Sequence, residues 1–80
     1  MGRYIVINTH APDECEPMEA DIAMIGPELR GRDFMCTCPA GEHAYYMVVE
    51  GDTSEAVLGF FPPSFKVGRT RALPIEVMRF

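Results

Sequence analysis

Phe34-Met35-Cys36-Thr37-Cys38-Pro39-Ala40-Gly41-Glu42-His43-Ala44-Tyr45-Tyr46-Met47-Val48-Val49-Glu50 is the stretch whose reading decides the fold. Its first five residues suit a short strand. Pro39 to Glu42 carry turn chemistry, and His43 to Glu50 is a longer β-branched and aromatic run, so the whole predicts a β-hairpin. Upstream, Tyr4-Ile5-Val6-Ile7-Asn8 reads as a central strand, apolar on both faces. Between these strands, Pro12 with Asp13, Glu14 and Glu16 predicts a helix start, because acids favour the first turn. Pro17 complicates it: either a helical turn over 12–16 kinks there, or the main helix begins at Pro17. Met18, Ile22 and Ile25 then form a narrow apolar stripe, which Gly26-Pro27 closes. Leu29 to Asp33 reads as a polar connector.

Downstream of the hairpin, Gly51-Asp52 predicts a second helix, with Asp52 and Glu55 spaced as a capping box. Val57, Phe60 and Phe61 lie on its apolar side, and Pro62-Pro63 stops it. Leu73 to Phe80 reads as the last strand, after a short extended piece near Lys66-Val67. The order is β-α-β-β-α-β. It predicts an α+β, ferredoxin-like βαββαβ fold over residues 1–80 as a single domain, one antiparallel sheet with two helices on one face. Such a sheet leaves its other face open. Since Ala44, Tyr46 and Val48 are as apolar as Tyr45, Met47 and Val49, a homodimer in the manner of a dimeric α/β-barrel is expected.

The chain has 80 residues, a formal net charge of −5 and three cysteines. A chain this short has a marginal core, so a metal, a disulfide or a partner commonly supplements it. Three cysteines cannot make a disulfide framework, and Cys36 and Cys38 are badly spaced for each other. The thiols therefore read as reduced and the protein as cytoplasmic, with no secretory signal ahead of the first strand. The acidic balance argues against nucleic acid, which needs a basic stripe. No apolar run approaches the ~18 residues that would span a membrane. With 48% hydrophobic residues, disorder is not favoured.

Every cysteine and histidine falls in two short segments, His10 to Cys15 and Cys36 to His43. In the predicted fold the first strand ends at the same sheet edge as the hairpin, so His10, Cys15, Cys36, Cys38 and His43 converge. If Ala40-Gly41 is a two-residue turn, Cys38 faces His43 directly, on one face with Cys36 and Tyr45. Taken singly, a free cysteine is a small hydrophobe and a turn histidine is usually solvated. Gathered at one edge, they form a thiolate and imidazole cluster. Such a set suits zinc first, with copper(I) or nickel as alternatives, and Glu14 or Glu42 could steady an imidazole. Whether Met18 joins the shell is left open.

Two other chemistries fit the same residues. Cys15, near a helix start and beside His10, could act as a thiolate in a redox or persulfide cycle, with Cys38 or Cys36 resolving it. Alternatively Tyr45, Tyr46, Met47, Phe60, Phe61 and Phe65 could line a pocket for a small molecule, as in a dimeric α/β-barrel enzyme.

At His10-Ala11-Pro12-Asp13-Glu14-Cys15 and Cys38-Pro39-Ala40-Gly41-Glu42-His43, the chain resembles a group of small bacterial proteins. These carry a His-x-Pro-Glu-x-Cys opening and a Cys-x-x-Gly-acid-His hairpin. More distantly the layout is similar to small nickel-binding ferredoxin-like proteins and dimeric α/β-barrel domains. The resemblance implies that His10, Cys15, Cys38 and His43 are the shared set and that Cys36 is particular to this chain. Pro17 departs from the pattern. The group brings a site and no settled reaction.

Overall fold

Strand β1, Gly2–Thr9, is central because its alternate residues are apolar on both sides and both its edges are paired. A computed structural model describes residues 2–24, 29, 31–65 and 69–79. In it β1 runs antiparallel to β3, Ala44–Gly51, on one side and to β4, Thr70–Pro74, on the other. Short β2, Phe34–Cys36, pairs with the outer side of β3, giving the order β2-β3-β1-β4. With helices α1, Cys15–Ile22, and α2, Ser54–Leu58, this is a small α+β fold compatible with the ferredoxin-like arrangement. Among the described residues no helix is long and apolar enough to cross a membrane.

Both helices cover the same side of the sheet. Met18 of α1 and Val57 of α2 share one buried cluster with Val6, Tyr45, Met47, Val49 and Ala72. Phe61 and Phe65 complete it from the segment after α2. Leu29 also belongs to it, so the segment expected to be a polar connector contributes a core anchor. Its single apolar side chain among charged neighbours gave no period to read.

Several boundaries differ from expectation, each for a local reason. A 3-10 turn over Pro12–Glu14 runs straight into α1, which starts at Cys15 rather than Pro17. Pro17 falls within the first turn, where backbone N–H groups have no intrahelical acceptor, so its missing donor costs no bond and no kink follows. The expected apolar position Ile25, the Gly26-Pro27 stop and the Lys66-Val67 piece lie outside the described residues. Helix α2 is capped by Thr53 rather than Asp52: the Ala56 N–H donates to the Thr53 hydroxyl oxygen at 3.1 Å. It ends at Leu58, ahead of Pro62, and Pro63–Phe65 forms a separate 3-10 turn.

The last strand sits three residues earlier than expected and stops at Pro74. Pro74 lacks the N–H that continued pairing needs and is tolerated because β4 is an edge strand. Alternation also fades beyond it, with Val77 and Met78 exposed. The hairpin register is as expected, Cys36 opposite Tyr45. The two-residue turn is not: Cys38–Ala40 forms a 3-10 turn that closes at Gly41 with φ +87°, and pairing ends at Cys36.

Gly51 ends β3 against α2, and a Cβ there would meet Val57 Cγ2 at 2.5 Å. Val57 is fully buried and β-branched, so it has no rotamer into which to retreat. Gly51→Ala is expected to lower unfolding stability by about 1–3 kcal/mol. A urea midpoint within error of wild type would show that α2 can shift freely.

Candidate metal centre

The end of β1 delivers His10 and the hairpin delivers His43, and a backbone bond fixes the two together: the His10 N–H donates to the His43 carbonyl at 3.0 Å. The turn over Pro12–Glu14 then swings Cys15 back over this junction. Ala11 N–H donates to a Glu14 carboxylate oxygen at 2.7 Å, tightening that turn. Across the hairpin, the 3-10 turn lifts Cys38 to the same point. His10 is buried, while Cys15, Cys38 and His43 are half-buried.

The donor atoms of His10, Cys15, Cys38 and His43 all lie within 4.8 Å of one another. Cys15 Sγ stands 3.1 Å from His10 Nε2, 3.1 Å from His43 Nδ1 and 3.6 Å from Cys38 Sγ. Cys38 Sγ stands 3.5 Å from His10 Nε2. A tetrahedral zinc with Zn–S of ~2.3 Å and Zn–N of ~2.0–2.1 Å has ligand-to-ligand edges of roughly 3.3–3.8 Å. Four of the six edges, those of Cys15 with its three neighbours and of Cys38 with His10, come within a few tenths of an ångström of that range, and both cysteines are free thiols. Cys36 lies outside this group: it is exposed, at the last paired position of the edge strand β2. Met18 packs into the core cluster.

A chain of hydrogen bonds sets which nitrogen of His10 faces the sulfurs. Thr70 donates its hydroxyl proton to the Phe65 carbonyl, so its oxygen is left to accept. Asn8 Nδ2 donates to that oxygen at 2.8 Å, which turns Asn8 Oδ1 toward His10 Nδ1 at 3.0 Å. Nδ1 must then carry the proton, and Nε2 presents a lone pair to Cys15 and Cys38. Asn8 is 3% exposed, a buried polar residue with every group partnered. Of the carboxylates expected in this role, Glu14 instead accepts from the Ala11 N–H and lies 3.5 Å from exposed Arg69, and Glu42 is exposed. Neither was the needed partner, because burial excludes a charged group where an amide suffices.

Tyr45 forms the floor. Its ring stacks on His10 with centroids 4.2 Å apart, and its hydroxyl lies 3.1 Å from both the Cys15 carbonyl oxygen and a Glu19 carboxylate oxygen. The one side chain thus holds the histidine, the cysteine's backbone and α1. Burial, then the bond to Glu19, raises the Tyr45 pKa, so the phenol stays protonated and donating. Burial, then the positive charge that His43 can take, lowers the His10 pKa, against smaller opposing effects of Glu14 and Glu19. The Cys38 thiol is pushed up to about 11 by desolvation, by its bond to Cys15 and by the nearby charges of Cys15 and Cys36. Without an ion it keeps its proton at neutral pH.

The aromatic residues considered for a ligand pocket do not gather around a single one: Phe60 and Phe61 border one cleft, and Phe61 and Phe65 another. Tyr45, Met47, Phe61 and Phe65 fill the core, and Tyr46 points to the opposite face of the sheet. Sequence reasoning missed Asn8, Thr70 and Glu19 around the site. For Asn8 a signal existed, a polar residue closing an apolar strand two positions before a histidine. No protein-family model matches the chain, and neither do curated proteins or solved structures.

Proposed function

We propose that the chain binds one transition-metal ion through His10 Nε2, Cys15 Sγ, Cys38 Sγ and His43 Nδ1, and that zinc is the ion the set fits best. The observation that carries this is the gathering of two sulfur and two nitrogen donors within 4.8 Å of one another. These are also the four residues that the resemblance singles out. Two thiolates with two imidazoles suit zinc, and copper(I) or nickel are the competitors a soft set admits. Four protein donors leave no coordination position for a substrate, so the ion serves to staple, store or sense. As a staple it ties the start of α1 to the hairpin. Helix α1 spans eight residues, too short to persist alone, and it buries only Met18.

A second reading uses the same sulfurs for redox or persulfide chemistry. Its specific support is the 3.6 Å approach of Cys15 and Cys38, with both imidazoles beside Cys15. Metal analysis separates the two. Protein purified without an affinity tag should carry one zinc per chain by native mass spectrometry and elemental analysis. Less than about a tenth of an equivalent after growth in zinc, with Cys15 and Cys38 readily joined by mild oxidant, would favour the thiol reading.

Ion binding must displace protons. With Cys38 raised to about 11, its proton leaves when the ion arrives, so zinc affinity should drop about tenfold per thiol proton for each unit by which pH is lowered. Burial lowers the His10 pKa, so its proton competes with the ion only toward the acid end of that range. Calorimetric titration at pH 6, 7 and 8 in buffers of different ionisation heat reads the proton count directly. A pH-independent affinity would exclude thiolate ligands.

A further inference from the structure

Ile5, Ile7, Tyr46 and Val48 point away from both helices, since each alternates with a residue of the helix-covered side. Cross-strand pairing sets Ile5 beside Val48 and Ile7 beside Tyr46. Met35 extends the patch along β2 and Leu73 along β4, exposed at 48% and 39%. Among the described residues no helix packs on this side. We propose that a second copy of this chain covers it, giving a symmetric dimer with the two sheets face to face.

Area supports a partner of this size. A folded monomer of 8.9 kDa should expose about 4,800 Å² by surface scaling. This chain exposes 5495 Å². The surplus, roughly 700 Å², is close to the ~800 Å² each partner gives to a standard interface. Symmetry supports identity of the partner. A two-fold axis running along the strands, between β1 and β3, lays β1 of one copy over β3 of the other. Ile5 then meets Val48, Ile7 meets Tyr46, and Arg3 meets Glu50, so the patch complements itself. Within the chain Glu50 lies 4.0 Å from Arg3 and 3.4 Å from Arg32, and Arg3 and Glu50 each keep about half of the side chain exposed toward an opposite charge on a second copy. Sheets packed this way sit ~10 Å apart with strands offset by about 30°. Arg3 and Glu50 lie at the opposite end of β1 from His10, so the dimer does not depend on the metal site.

Native mass spectrometry and sedimentation of the full chain, from about 5 to about 200 μM, test this. The expected mass is twice that of one chain. Val48→Glu should weaken association by ~100-fold or more, because it places a charge in the centre of the patch. Arg3→Glu and Glu50→Arg should each weaken self-association, yet a mixture of the two variants should form the mixed dimer in preference to either homodimer. That last result needs Arg3 and Glu50 to meet between copies and stands even if Val48→Glu fails to fold. A wild-type protein of single-chain mass at the highest concentration overturns the proposal. So does a dimer indifferent to a folded Val48→Glu variant, or a mixture that shows no preference.

Discussion

Replacing Cys15 with serine is expected to weaken zinc binding by well over 100-fold, the largest effect of any single change at the site. Cys15 Sγ is the hub: it lies 3.1 Å from both imidazole nitrogens and 3.6 Å from Cys38 Sγ. A serine hydroxyl does not ionise near neutral pH and is a harder donor than a thiolate, so the substitution removes a ligand without opening a cavity. Cys38→Ser should follow closely. Asn8→Leu should cost about 10- to 100-fold, the range for losing a partner that orients a ligand, because His10 Nδ1 loses its acceptor. Cys36→Ser should change little, since Cys36 lies outside the four donors. Competition against a chromophoric chelator measures all four. A ranking with Cys36 equal to Cys15 would replace the proposed ligand set with another.

Phe65→Ala should cost about 3–5 kcal/mol of stability, the largest loss expected from a core substitution. Phe65 is 1% exposed, and its ring lies 5.6 Å from Phe61, 5.9 Å from Tyr45 and 6.4 Å from Phe34 by centroid. Through Tyr45 that aromatic stack reaches His10. For 80 residues total stability is of order 4–12 kcal/mol, so the substitution should remove from about a quarter to all of it. Zinc in excess should recover part of the loss by mass action, because the ion binds the folded chain. A loss below about 1 kcal/mol would mean that the segment after α2 does not anchor the core.

The gathering of the site was legible because strand order is a coarse property. Tyr4 to Asn8 and the Phe34 to Glu50 hairpin are strongly patterned, and any antiparallel pairing of them brings His10 to the hairpin turn. Pairing of Cys36 with Tyr45 was expected only on condition of a two-residue turn at Ala40-Gly41; the register holds although a 3-10 turn takes that place. Exclusion of Cys36 was not legible, because it depends on the 3-10 turn that lifts Cys38 away from the strand. Leu29 and the Thr70 start of β4 were hidden by isolation: one apolar residue among charges carries no period. The role of Asn8 emerges only when β4 brings Thr70 alongside, a contact between residues 62 positions apart.

X-ray absorption at the zinc edge of the loaded protein tests the central claim most directly. Two sulfurs at ~2.3 Å and two nitrogens at ~2.0–2.1 Å are expected. A shell of oxygen and nitrogen alone, with no sulfur scattering, would contradict it.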